Sequence, residues 1–209
     1  MKTYFRLIVA LCAMVSCEQP FIGGEESETI NGNLKVRVFQ IEKTSFASLT
    51  RSAEPVGDVC TRLNYAVYDQ EGSRVKQVNQ TSDATDFGSV SFRLEEGDYE
   101  LVVVAHSANG NPTMTNSAKI QFTNTTGYAD TFLYRDDVSI DEEPVEMQVS
   151  LDRIASLCRF VITDESIPAE VKKLQFYYTG GSGAFDASTG LGSVNSKQEV
   201  TFDIDQNQK

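Results

Sequence analysis

The chain has 209 residues, with 18 Lys or Arg against 30 Asp or Glu, a formal net charge of -12 and 40% apolar residues. That charge lacks the phosphate-neutralising term on which nucleic-acid affinity depends, and it argues against a basic patch for anionic lipid. The length allows one or two domains, and the apolar fraction is that of a folded chain rather than a disordered one.

The first element is a leader. Lys2 and Arg6 precede an apolar run over residues 7–15. A basic start followed by a short apolar stretch is the secretory pattern, and the run falls well short of the roughly 20 residues a spanning helix needs. An ordinary small-residue cleavage site fits poorly, because cutting after Ala13 or Ser16 places Leu11 or Met14 where a small side chain belongs. The tetrad Met14-Val15-Ser16-Cys17 instead resembles a bacterial lipobox. The chemistry requires the cysteine: its thiol takes a diacylglycerol thioether, and its freed amino group is open to acylation after cleavage. Residues 1–16 are therefore predicted as a lipoprotein signal peptide that carries Cys12 away with it, and Cys17 as the lipid attachment site. More than one acyl chain holds firmly where a single chain holds marginally. Residues 17–32, CEQPFIGGEESETING, contain a proline, a glycine pair and four Glu, and read as a flexible tether. Glu18 follows the cysteine in place of an Asp that would retain the protein at the inner membrane. The expected location is the bacterial outer membrane, lipid-anchored and surface-exposed.

Beyond the tether the dominant period is two. LKVRVFQI sets Leu34, Val36 and Val38 against Lys35 and Arg37. Residues 43–59 are polar, contain Pro55 and Gly57, and read as a long loop with Arg51 exposed in it. RLNYAVYD puts Leu63, Tyr65 and Val67 on one face, and SVSFRLEEG does the same with Val90, Phe92 and Leu94. Glu96-Gly97-Asp98 then has the chemistry of a tight hairpin into YELVVVAH, whose nearly continuous apolar run predicts a central strand buried on both faces. AKIQFTN places Ile120 with Phe122, Asp136-Asp137 and Asp141-Glu142-Glu143 read as solvated loop, and VEMQVSL alternates again. SLCRFVITD, KLQFYYTG and EVTFDID continue the strand pattern. Between the last two lies a Gly/Ser-rich loop, residues 180–195, anchored by Phe185 and Leu191. No helical period persists, and short strands separated by turn residues predict an all-β sandwich. The expected division is an N-terminal β-sandwich domain over residues 33–150 and a partial second sandwich over residues 151–209, which holds too few strands to stand alone.

Catalytic and metal chemistry find little support. The single histidine, His106, ends the predicted central strand with no second His or CxxC motif to share a metal. Ser107 beside it is a sequence neighbour and not a triad, and no G-x-S-x-G motif is present. DIDQNQ near the end opens like a calcium loop but lacks the glycine at its sixth position. No cofactor and no enzymatic activity are expected. Cys60 and Cys158 survive processing; they either pair as a disulfide in an oxidising periplasm or remain two buried thiols.

LEEGDYELVVVAH, with the later stretch VSLDRIASLCRFVITDESIPAEVKKLQFYYTGGSGAFDASTG, resembles the FimB and Mfa type of minor fimbrial subunit found in Bacteroidetes. The signals are the G-D-Y entry to the apolar strand, the L-x-R segment leading to V-I-T-D, and F-D-x-x-T-G. The resemblance implies two transthyretin-like sandwiches in tandem and a lipid-anchored role in anchoring a pilus or limiting its length. It also implies that pilin or other fimbrial subunits are partners by strand addition, in which backbone hydrogen bonds supply affinity. Arg51 matches the residue type at which pilins of this class are trimmed, and an anchor has no need of that cut. Family members carry a full second sandwich, whereas this sequence ends at Lys209 just after its last strand, so truncation or completion by a partner strand is expected. The alternative reading is a surface lipoprotein that binds glycan or a host or partner protein, with Tyr128, Phe132, Tyr134, Tyr177 and Tyr178 as a sugar platform.

Overall fold

The computed structural model describes residues 32–46, 48, 50–123, 129–157, 159, 161–163 and 166–204. The strands are β1 (Leu34–Thr44), β2 (Arg51–Glu54), β3 (Arg62–Tyr68), β4 (Arg74–Thr81), β5 (Ser89–Phe92), β6 (Gly97–His106), β7 (Ile120–Gln121), β8 (Thr131–Ile140), β9 (Val145–Arg153), β10 (Lys173–Gly181), β11 (Ala184–Phe185) and β12 (Ser196–Asp203). The one described helix is the single turn α1 (Val56–Val59).

The main sheet runs in the order β2-β1-β9-β8-β6-β3-β4, with β5 also paired to β1. β1 runs parallel to β9 and antiparallel to both β2 and β5, which share its other edge. β8 and β9 are paired only at Phe132↔Arg153 and Leu133↔Asp152. The sheet therefore folds over at that corner into two layers, β5/β2-β1-β9 and β8-β6-β3-β4. Leu34, Val36, Val38 and Ile41 from β1 meet Leu63, Tyr65 and Val67 from β3 and Leu101, Val103 and Ala105 from β6 in one core. A bulge at Phe39 shifts the β1 register between Val38 and Gln40. The extra residue restores the inward alternation at Ile41 and leaves Phe39 exposed.

β3 and β6 are buried on both faces, as the unbroken apolar run of β6 predicts. Ala66, Tyr68, Val102 and Val104 form a second cluster on the outer face with Met114, Ile120, Phe122, Phe185 and Ala187. His106 lies on that face, fully buried. Its Nδ1 accepts the Ala108 N–H at 3.1 Å, so Nε2 carries the proton and donates to Asn64 Oδ1 at 2.7 Å. Asn64 Nδ2 donates on to Asn79 and Asn111. Burial, with a smaller contribution from the Arg62 charge, lowers the His106 pKa from 6.5 to about 4.

The fold corrects several sequence expectations. Residues 43–59 contain strand β2 and helix α1, and are not one long loop. Glu96-Gly97-Asp98 is no hairpin: β5 pairs with β1 and β6 with β3 and β8, so the chain crosses between layers at Gly97. Asp136 and Asp137 lie within β8 rather than in a loop, and Leu191 is exposed rather than an anchor. Strand β4 gives no apolar period because it is an edge strand, carrying Arg74, Lys76, Gln77 and Asn79. The described residues of SLCRFVITD form no strand, and Leu157, Val161 and Ile162 are exposed.

The buried polar groups can be tested in two ways. The Tyr68 hydroxyl donates to the Met114 carbonyl at 2.8 Å, whereas the buried Tyr65 hydroxyl has no partner among the described residues. In urea denaturation Tyr68→Phe loses about 1–2 kcal/mol, and Tyr65→Phe is neutral or stabilising, because its hydroxyl is desolvated without return. His106 protonates in the unfolded chain before it does in the fold. Its contribution is therefore complete above pH 6.5 and is lost as the pH falls toward about 4. Denaturation midpoints at pH 7 and pH 4.5 differ less in His106→Gln than in the unaltered protein.

Candidate assembly interface

β10 and β12 form an antiparallel ribbon that pairs with no other described strand. Leu174↔Phe202, Phe176↔Val200 and Tyr178↔Gln198 are cross-strand partners, so the alternation of both strands puts these side chains on one face. The opposite face holds Lys173↔Asp203, Gln175↔Thr201 and Tyr177↔Glu199. On it Lys173 pairs with Asp203 at 3.2 Å, Lys197 with Glu199 at 3.2 Å, and the Lys197 ammonium sits 4.7 Å from the Tyr177 ring centre. The Lys197 hydrogen bond is the first cause of the lowered Glu199 pKa. The ribbon is thus polar on one side and apolar on the other. On the apolar side the Phe176 and Phe202 rings meet edge-on at 5.7 Å, yet Tyr178, Val200 and Phe202 remain 55%, 49% and 54% exposed. A two-stranded ribbon is marginal in water unless its apolar face is covered. No other described strand pairs with either outer edge, and a sheet edge is the template for an added strand.

A clasp ties the ribbon to the sandwich. Between β10 and β12 the chain pairs β11 with β7, Ala184↔Gln121 and Phe185↔Ile120, and buries Phe185 in the outer cluster. Phe122 N–H donates to Gly183 O at 2.7 Å, and Ala187 N–H to Ser117 O at 2.9 Å. Asp186 Oδ1 accepts from the Ser188 N–H and hydroxyl at 2.8 and 2.7 Å, closing a turn whose Gly190 has φ 68°. Beside the clasp lies an open groove of about 760 Å³. Phe122, Thr131 and Ile154 of the sandwich line it on one side, and Tyr178, Gly181 and Gln198 of the ribbon on the other.

The sequence-predicted site residues are scattered. Cys17, Cys158 and Tyr128 fall outside the described residues. Cys60 is buried at the end of α1, and burial raises its thiol pKa to about 12, the opposite of a reactive thiolate. Arg51 is an exposed β2 residue paired with Glu42 at 2.6 Å and Asp152 at 3.0 Å. Among the described residues, the aromatics of the alternative reading do not form one platform. Phe132 is fully buried, the Tyr134 hydroxyl bonds Asp136 at 3.1 Å, and Tyr177 and Tyr178 face opposite sides of β10. Among the described residues no group of three His, Cys, Asp or Glu is placed to hold a metal.

Arg153, read in the sequence only as part of an L-x-R segment, is a structural hub. Its guanidinium grips Asp130 through Nε at 2.9 Å and Nη2 at 2.6 Å and donates to the Thr44 carbonyl. It lies 4.2 Å from the Phe46 ring centre and 5.3 Å from that of Phe132. Asn33 has a similar role at the other end of β1, exchanging two hydrogen bonds with the Leu94 backbone at 2.8 and 2.9 Å. No periodicity marks either residue; an Asn just before a strand reads as turn chemistry.

A family model described as "Fimbrillin-A associated anchor proteins Mfa1 and Mfa2" matches residues 27–207. No curated protein sequence matches significantly. Among solved structures, a Bacteroides thetaiotaomicron protein provisionally described as polysaccharide-binding aligns with TM-score 0.37 and 10% identity over 71% of this chain and 50% of its own. This chain thus spans about half the length of that relative. A Bacteroides ovatus protein provisionally described as an adhesin gives 0.47 and 10% over 84% of this chain and 68% of its own. A fimbrial assembly protein from Parabacteroides distasonis gives 0.38 and 13% over 81% and 75%.

Phe185→Ala tests the clasp. Removing a buried phenyl ring costs about 3–5 kcal/mol, more than a ladder of two residue pairs holds. Limited proteolysis of the variant cuts residues 183–195 faster than in the unaltered protein, while the sandwich stays resistant; equal cutting rates contradict the clasp.

Proposed function

The chain belongs to the family of fimbrillin-A associated anchor proteins, and on that premise we propose that it is a lipid-anchored fimbrial subunit that anchors or limits a surface pilus. Membership makes it a fimbria-associated protein of the cell surface and not an enzyme. In the proposed arrangement Cys17 carries the acyl chains in the outer membrane, residues 17–32 are the tether, and the first sandwich holds the ribbon away from the bilayer. The acidic net charge keeps the body off an anionic surface. A second unit comes after the sandwich and takes up a fimbrial partner.

The observation that carries this reading is the β10–β12 ribbon, amphipathic and open along both outer edges among the described residues. An incoming strand pairs with one edge through its backbone. At the β12 edge it sets alternate side chains beside Val200 and Phe202 and the others beside Thr201 and Asp203 on the charged face. Backbone pairing supplies affinity without sequence dependence, and the side-chain alternation supplies register.

Two outcomes are expected. A photo-crosslinking residue in place of Thr201, tested in intact cells, captures a fimbrial subunit, whereas the same residue at Lys35 on the outer face of the sandwich does not; an empty ribbon position contradicts strand addition. Cys17→Ala shifts the protein from the membrane fraction to the soluble one, and equal membrane retention contradicts lipid anchoring.

A further inference from the structure

The placement of β1 and β9 has a mechanical meaning beyond adhesion. The two strands are parallel neighbours, paired from Leu34↔Val145 to Glu42↔Asp152. Parallel strands entered at one end and left at the other put the start of β1 and the end of β9 at opposite ends of their shared seam, about 26 Å apart at roughly 3.3 Å per residue. The chain continues from the start of β1 toward Cys17, and from the end of β9 toward the ribbon. Tension between those directions slides β1 along β9. It loads every rung of the ladder at once, where a hairpin pulled from its open end breaks its rungs one at a time.

We propose that the first sandwich is a shear clamp, a load-bearing element whose β1–β9 seam resists tension along the chain. Four features serve that role. β1 is an interior strand, flanked on its far edge by β5 over Leu34–Arg37 and by β2 over Ile41–Thr44, so it cannot peel sideways. Its inward residues Leu34, Val36, Val38 and Ile41 interdigitate in one core with Val149 and Leu151 of β9. The lower end of the seam is pinned by Asn33, whose carboxamide clamps Leu94 and whose carbonyl accepts the Val145 N–H at 2.8 Å. The upper end is pinned by Arg153, which bridges β9 to the Thr44 carbonyl of β1 and to Asp130, while the Ile154 N–H donates to Thr131 O at 3.0 Å. The clasp at Phe185 offers a second path into the sandwich, held by two ladder pairs, two further backbone hydrogen bonds and the buried Phe185 ring against the eight paired positions of the seam.

The direction of load in the cell rests on the anchor reading, whereas the strength of the seam does not. The test is single-molecule force spectroscopy on the purified full chain, with bio-orthogonal handles placed in two geometries. One pair, in the tether and at exposed Ser156, shears the seam. The other, at exposed Thr61 and Ser82, unzips β3 from β4 at its open end, where the Ser82 N–H meets Thr61 O at 2.9 Å. At equal loading rate the shear geometry is expected to rupture at no less than twice the unzipping force. Arg153→Ala lowers the first force and leaves the second unchanged. Equal forces in the two geometries overturn the clamp. A high shear force together with Cys17→Ala protein that stays on the membrane leaves the clamp standing and removes only the lipid anchor.

Discussion

The parallel pairing of β1 with β9 is the contact on which the rest of the architecture depends. A sheet that runs β4-β3-β6-β8 has an open edge and one uncovered apolar face. Bringing the first strand beside the ninth supplies a second layer, and the inward residues of both layers then share one core. Once β1 is fixed there, its free edge is filled by two short strands from different parts of the chain, β5 and β2. Edges that remain are short or charged, which keeps the sandwich from pairing with itself. Closure depends on getting alternation right over eleven residues of β1. The bulge at Phe39 is what allows Leu34, Val36, Val38 and Ile41 all to face inward.

The second dependence is two-sided burial of β3 and β6. Their outer face needs a cover, and residues 107–123 supply most of it. A polar network built on buried His106 and Asn64 fixes that cover in register: His106 bonds Asn64, Asn64 donates on to exposed Asn79 and half-buried Asn111, and Arg62 donates to the Ala108 carbonyl at 3.0 Å. Such networks stabilise only when every member is partnered, which is why the neutral imidazole with its proton on Nε2 matters. Phe185 and Ala187 complete the cover from far along the chain. The segment that closes the sandwich's outer face is therefore the same one that holds the ribbon in place. A closed sandwich thus carries a two-stranded ribbon with which no other described strand pairs and whose Tyr178, Val200 and Phe202 stay exposed.

Much of this was legible in the sequence wherever burial left a period. The run Leu101–Ala105 announced a central strand, and β1, β3 and β9 announced themselves by alternation. Hidden elements were those whose residues answer to partners rather than to water. β8 carries Asp136-Asp137, which reads as solvated loop; in the fold the neighbouring Arg135 pairs with Glu100 of β6 at 2.7 Å, and that hydrogen bond is the first cause of its raised pKa. β4 is polar because it is an edge. Glu96-Gly97-Asp98 has hairpin chemistry, but β1 competes for β5 and wins, so the local turn signal led to the wrong partner. Arg153 and Asn33 could not be ranked from the sequence, because their importance lies in contacts with Thr44, Asp130 and Leu94, far away along the chain. Among the candidate sites, the ribbon's pattern was visible as two strand-like stretches. Its exposure was not, because amphipathic alternation looks the same whether or not a partner covers the apolar side.

Native-state hydrogen exchange measures that distinction most directly. In the protein alone, amides of β1, β9, β3 and β6 are predicted to exchange only through global unfolding, while the outer-edge amides of β10 and β12 exchange through local opening at rates orders of magnitude faster. Addition of a fimbrial subunit then slows the ribbon amides and leaves the sandwich unchanged. Ribbon amides already as protected as the β1–β9 seam in the isolated protein, or unaltered by the subunit, would contradict a closed sandwich presenting an open ribbon.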